Sequence, residues 1–242
     1  GPKYTKKQAS QVSGIKTVFW LESFDEIFNL LTSEAHTIYT NHGKHERSNS
    51  EVDSRNIRFA NQIRNELSSP NFELLTPLIN NLRVRKSPIE VELIKKACNI
   101  TEIGFRRVLD YLKPGVWEYE VEAEVTHEFI RKKSNGHAYS PIFASGANAC
   151  ILHYINNNQI CRDGDLILMD FGAEYANYAS DLTRTVPVNG RFTIRQKEVY
   201  NSVRSVMVRA TDMLETGTLL DEYNKEIGKL IESELIHLNL IT

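Results

Sequence analysis

The sequence predicts an α+β chain. Helix-start signals at Ser87 and Thr193 each open a long run of helical spacing, and between them, from about residue 140 to 188, the chain breaks into short apolar and β-branched runs separated by turn residues. The first 75 residues instead mix strand-like runs with a helical one, the pattern of a small α/β domain.

In chain order, Thr17-Val18-Phe19-Trp20 and Thr37-Ile38-Tyr39-Thr40 are β-branched and aromatic runs that predict strands, with a helix over residues 24–31 between them. Residues 41–56 are rich in His, Ser, Asn and charge and predict a solvated loop; His42 and His45 are metal candidates there only by residue type. Ser87-Pro88-Ile89-Glu90 sets a capping serine, a proline at the first helical position and a glutamate at the third. Ile94, Ala97, Thr101, Gly104 and Val108 keep helical spacing until Pro114-Gly115 ends the run. A second helix is predicted over 118–133 with Val121, Val125 and Phe129 on one face, then strands over 140–144, 150–156, 166–171 and 175–188. Thr193-Ile194-Arg195-Gln196 is another capping box, opening a helix that Gly217 breaks before a last helix carrying Tyr223, Ile227, Leu230 and Leu235. The helix, glycine break, helix pattern thus occurs twice, and four strands follow only its first occurrence, so a second half-domain is expected to be missing; chance similarity of two helical hairpins explains the pattern as well. The opening Gly1-Pro2-Lys3 reads as a cut rather than a natural start.

Composition narrows the function. The chain of 242 residues is 41% hydrophobic and 25% charged, which is ordinary for a globular protein and excludes the disordered classes. A net charge of -2 offers no electrostatic footprint for nucleic acid or an anionic membrane. Cys98, Cys150 and Cys161 lack the paired spacing of a zinc site, and no run resembles a signal peptide or a membrane span, so a reducing cytoplasm is expected.

The chemistry concentrates in Asp163-Gly164-Asp165-Leu166-Ile167-Leu168-Met169-Asp170-Phe171-Gly172-Ala173-Glu174-Tyr175 and the following Tyr178-Ala179-Ser180-Asp181-Leu182-Thr183-Arg184-Thr185. Asp170 closes an apolar strand, and a reversal around Gly172 lets Asp181 face it on the neighbouring arm, with Cβ atoms roughly 4.5–5.5 Å apart. Two carboxylates so close repel unless a cation lies between them, and hard divalent ions suit their oxygens. The same residues also suit a turn cap or an ion pair with Arg162 or Arg184. His153, beside Tyr154, is by type either a hydrogen-bonding structural residue or a functional one.

Together with Ile151-Leu152-His153-Tyr154, Arg162-Asp163-Gly164-Asp165 and Arg85-Lys86-Ser87-Pro88-Ile89-Glu90, these motifs make residues 83–200 closely resemble the pita-bread metallopeptidases, in particular the Xaa-Pro aminopeptidase and prolidase branch. The resemblance implies a pita-bread catalytic domain over 76–242, incomplete at its C-terminal half, after the remnant of a creatinase-like N-terminal α/β domain over 1–75. It implies two divalent metal ions, commonly Mn²⁺ with Co²⁺ or Zn²⁺ as alternatives, held by two aspartates, one histidine and two glutamates, of which only Asp170 and Asp181 match here. His237, in the apolar context Ile236-His237-Leu238, is not a counterpart of the family's later histidines. The resemblance further implies that His153 faces the metals and stabilises the bound peptide or tetrahedral intermediate, and that Thr183 can support a ligand carboxylate. The implied activity is release of the first residue from peptides with proline second, through two metals that activate a water and polarise the carbonyl. The implied partner is a peptide and the implied assembly of the complete protein a homodimer, with activity expected of that protein and not of this piece. A prolidase, a methionine aminopeptidase and a non-catalytic pita-bread binding module are the competing readings; the N-terminal remnant and the His153-Tyr154 pair count against the second, and the retained aspartates and His153 against the third.

Overall fold

A computed structural model describes residues 3–43, 52–67 and 70–242. The chain divides into two compact units, Gly1–Lys86 and Ser87–Thr242.

The first unit contains α1 (Lys6–Ser13), α2 (Phe24–Ser33), β1 (Thr37–Thr40), α3 (Arg55–Glu66), β2 (Asn71–Leu74) and α4 (Thr76–Val84). β1 and β2 are parallel, in register from Thr37↔Asn71 to Thr40↔Leu74. Parallel neighbours need a crossover, which α3 supplies while burying Ala60 and Ile63. The expected strand over 17–20 is absent: the run pairs with no strand among the described residues, and Phe19 and Trp20 are exposed. Its β propensity has no neighbouring edge to satisfy it.

The second unit begins with α5 (Pro88–Tyr111) and α6 (Glu118–Arg131). The Glu90 carboxylate accepts from the Ser87 backbone N–H (2.6 Å) and hydroxyl (2.8 Å), anchoring the start of α5 as its sequence implies. The strands β3 (Gly136–His137), β4 (Ile142–Ser145), β5 (Leu166–Phe171), β6 (Ala173–Tyr175), β7 (Tyr178–Ala179) and β8 (Leu182–Pro187) follow, then α7 (Ile194–Asp212) and α8 (Leu220–His237). Thr193 opens α7 with both halves of a capping box, its hydroxyl accepting from Gln196 N (3.2 Å) and its N–H donating to Gln196 Oε1 (2.8 Å). None of the described helices is long and apolar enough to cross a membrane.

Two antiparallel sheets form, with strand orders β4-β5-β8 and β3-β6-β7. Period-two alternation along β5 sends Ile167, Met169 and Phe171 into a core shared with Ile100 and Val108 of α5 and Val121, Val125 and Phe129 of α6. Each of these is fully buried, worth about 1.5–3 kcal/mol for the larger side chains. The other face of β5 therefore carries Leu166, Leu168 and Asp170.

Two of the expected strands differ. Residues 175–188 are not one strand: Ala176 and Asn177 take left-handed φ values of 51° and 68°, making the turn between β6 and β7, and β8 begins only at Leu182. Residues 150–156 are not a strand at all. They leave a 3₁₀ turn at Gly146–Cys150 and bend at His153, whose φ is 53°.

Candidate metal centre

The β5 register places Ile142 of β4 and Thr183 of β8 on either side of Asp170. Asp181 therefore does not face Asp170 directly, as the sequence suggests. It precedes β8 and stands two residues from Thr183, a diagonal position on the same face. The difference arises because the chain leaves the sheet after Phe171, forms the β6–β7 hairpin against β3, and only then returns.

Gly172 makes that return possible. A Cβ built on it would lie 1.8 Å from the Ser180 carbonyl oxygen and 2.6 Å from its carbon, so the two backbones cross at a distance no side chain permits. The crossing is held by a buried hydroxyl pair, Thr101 Oγ1 and Ser180 Oγ at 2.7 Å. Ala173 N donates to Thr101 Oγ1 (2.8 Å), and Ser180 N donates to Ala173 O (3.0 Å). The residues next to this crossing, Asp170 and Asp181, are thereby brought to one place.

Tyr139, between β3 and β4, confirms how near they are. Its hydroxyl lies 2.6 Å from Asp170 Oδ1 and 3.0 Å from Asp181 Oδ1. Burial, then the bonds to Asp170 and Asp181, push the phenol far above its ordinary pKa, so it stays a neutral donor. One hydroxyl has one proton and cannot satisfy two carboxylate oxygens fully. Neither aspartate pairs with Arg162 or Arg184; the Arg184 guanidinium donates instead to Thr183 O (2.7 Å). Two carboxylates converging, among the described residues, on a shared neutral donor with no cationic side chain bonded to either form an all-oxygen donor set that fits a hard divalent cation. Thr183 faces Asp170 across the ladder, but the hydroxyl that reaches the carboxylates is that of Tyr139.

The aspartates, Tyr139, Ser140, Ile142, Ile155 and His153 line one open cavity of about 470 Å³. His153 is exposed at its rim and reaches it from the bend after the 3₁₀ turn. Neighbouring side chains explain that bend. Tyr154 turns inward and donates to Glu118 Oε2 (2.7 Å). Asn157 donates to Glu122 Oε2 (2.9 Å) and Pro141 O (3.0 Å) and accepts from Phe143 N (2.9 Å), tying the far side of the bend to β4 and α6. Burial and the bond to Glu118 raise the Tyr154 phenol above its ordinary range.

Sequence reasoning missed Tyr139 and Glu118. Nothing in spacing marks Tyr139, whose partners lie 31 and 42 residues away. Glu118 reads in sequence as an ordinary acidic residue in the first turn of a helix. Among the described residues no group of three or more His, Cys, Asp or Glu side chains gathers into a fuller ligand set. His42 is occupied otherwise: Arg64 Nη2 donates to its Nε2 (2.9 Å), which leaves Nδ1 as the donor to Thr40 Oγ1 (2.7 Å). His45 lies outside the described residues.

Residues 92–240 match metallopeptidase family M24. The Xaa-Pro aminopeptidase of Haemophilus influenzae is 39% identical over 165 residues, covering 68% of this chain and 38% of its own length. Rat Xaa-Pro aminopeptidase 3 is 29% identical over 241 residues, covering 100% of this chain and 47% of its own. Among solved structures, proline aminopeptidase P II of Yersinia pestis superposes with a TM-score of 0.85 at 31% identity, over 98% of this chain and 55% of that one. Zinc-substituted Escherichia coli aminopeptidase P in complex with product gives 0.87 at 31% identity, over 100% and 55%. The chain thus spans less than half the length of the sequence relatives and a little over half of the solved ones. With its fold matched at this level and the family motifs on β5 and β8, the chain belongs to metallopeptidase family M24.

Proposed function

We propose that this chain carries part of the active site of an Xaa-Pro aminopeptidase, a protein of its relatives' length that releases the first residue from peptides with proline second. The observation that carries the reading is the Tyr139 hydroxyl within hydrogen-bond distance of both Asp170 and Asp181, beside a cavity that also reaches His153. On this reading Asp170 and Asp181 hold two divalent ions, Mn²⁺ by preference with Co²⁺ or Zn²⁺ as substitutes. Such ions supply Lewis-acid polarisation of the peptide carbonyl and lower the pKa of a water. Tyr139 donates to the carboxylates and fixes how they point into the cavity. His153 donates to negative charge developing on the carbonyl oxygen, which strengthens in the transition state and so raises turnover. Proline at the second position removes the N–H and fixes the backbone, so selectivity is a matter of shape.

The same reading makes residues 1–75 the end of an N-terminal α/β domain and 76–242 the opening part of the catalytic domain. It makes a homodimer the assembly and peptides, rather than nucleic acid or membrane, the partner. The cytoplasm is the compartment, in keeping with three cysteines that are all free thiols.

The test is a panel of Xaa-Pro, Xaa-Pro-Yaa and Xaa-Ala-Yaa peptides offered to the full-length protein with Mn²⁺. Cleavage of Xaa-Pro-Yaa with little action on Xaa-Ala-Yaa is expected. Cleavage of the dipeptide alone indicates a prolidase, cleavage regardless of proline a general aminopeptidase, and no cleavage by metal-loaded protein a binding module.

A further inference from the structure

Glu118, the first residue of α6, is fully buried. An acidic side chain there ordinarily faces solvent near the helix N-terminus. Here the carboxylate turns inward and accepts four hydrogen bonds. Oε1 takes Ser145 N (2.7 Å) and Asn148 Nδ2 (3.1 Å); Oε2 takes Tyr154 Oη (2.7 Å) and Gln159 N (3.0 Å). No cationic side chain is among these partners, so the burial is compensated by neutral donors alone. Four converging donors require a group that only accepts, which a carboxylate is and an amide is not.

All four donors lie in the segment that carries His153, two before it and two after. The His153 ring is exposed and makes no hydrogen bond among the described residues, so its backbone sets where it stands. That backbone is left-handed, φ 53°, a conformation a non-glycine residue keeps only where its surroundings impose it. The neighbouring Tyr154 is anchored directly on Glu118.

We propose that Glu118 is a positioning residue for His153: its buried carboxylate clamps both ends of the bend and so holds the imidazole at the Asp170–Asp181 cavity. The inference rests on the role given to His153 above.

Two variants test it, Glu118→Gln and the milder Tyr154→Phe, which removes one donor and leaves the ring in place. In the 242-residue chain, hydrogen exchange at Ser145 and Gln159 should quicken about tenfold or more in Glu118→Gln, while the interior of α5 keeps its protection. In the metal-loaded full-length protein, His153→Ala should lower kcat about 100-fold. Glu118→Gln should lower kcat about tenfold or more with KM nearly unchanged. The double variant should be no slower than His153→Ala alone, because a residue acting through another adds nothing once that one is gone. If Glu118→Gln proves unfolded, Tyr154→Phe enters the same cycle with a smaller loss. Unchanged kcat in a folded Glu118 or Tyr154 variant, or losses that multiply in full with His153→Ala, overturn the proposal while leaving the role of His153 intact. Unchanged kcat in His153→Ala removes that role, and the proposal with it.

Discussion

Replacing Gly172 by alanine is the smallest change that should undo the site without touching an aspartate. The added Cβ would stand 1.8 Å from the Ser180 carbonyl oxygen. Ordinary van der Waals contact requires the two backbones to separate by roughly 1.5 Å or more. Neither can yield freely, since Ala173 N is bonded to Thr101 Oγ1, Ser180 N to Ala173 O, and Gly172 O accepts from Ala138 N at 2.8 Å. Overpacking of this kind costs about 1–3 kcal/mol, and each buried hydrogen bond lost adds about 0.5–1.5 kcal/mol. A total destabilisation of about 2–5 kcal/mol follows. Because Asp181 is the next residue after Ser180, the separation also carries its carboxylate away from Asp170. Urea unfolding should show a lowered midpoint, and hydrogen exchange at Ala173 and Ser180 should quicken before that of Val125 in α6. An unchanged midpoint with unchanged protection at Ala173 would refute the claim that this crossing holds the two aspartates together.

Tyr139→Phe removes a donor shared by the carboxylates and should destabilise the metal-free chain by about 1.5–3 kcal/mol in the same assay, the range for hydrogen bonds to charged groups; an equal or higher midpoint would count against it. His137 supplies a pH dependence. Its Nδ1 is buried without a partner among the described residues, Nε2 meets Thr126 Oγ1 at 2.9 Å, the ring packs on Phe129, and burial lowers its pKa below 6.5 against the opposing pull of Glu122. Below pH 6.5 the unfolded chain takes up a proton that the folded chain resists, so stability should fall as pH drops through that region and be insensitive to this group above it. His137→Phe should flatten the fall measured by urea unfolding across pH 5 to 7, and an unaltered slope would contradict the assignment.

The helices were legible because their start signals are local. Ser87 with Glu90, and Thr193 with Gln196, satisfy each other within one turn whatever the rest of the chain does. β5 was legible for a similar reason, since its alternation is written in six consecutive residues. The bend at His153 was not. Ile151, Tyr154 and Ile155 suit a strand by composition, and what bends them is Glu118, which is 36 residues from Tyr154 in sequence. The break at Ala176-Asn177 was hidden in part for the same reason: Glu174 Oε1 accepts from Asn177 N (2.5 Å) within the turn itself, but that carboxylate is also held through Oε2 by Asn135 Nδ2 (2.9 Å), 39 residues away in sequence. Of the site, the motif residues Asp170, Asp181 and His153 were visible and do line one cavity. The diagonal relation of the aspartates and the bridging Tyr139 depend on strand register and on the crossing at Gly172, which spacing alone does not encode.

Asp170 and Asp181 are proposed above to be shared ligands of two metal ions. Elemental analysis of the full-length protein loaded with Mn²⁺ and freed of excess, compared with its Asp170→Asn variant, tests this most directly. An amide offers no anionic oxygen to a second ion, so the variant should lose at least one of the two ions while its circular dichroism is unchanged. Full occupancy in a folded Asp170→Asn protein would contradict the claim.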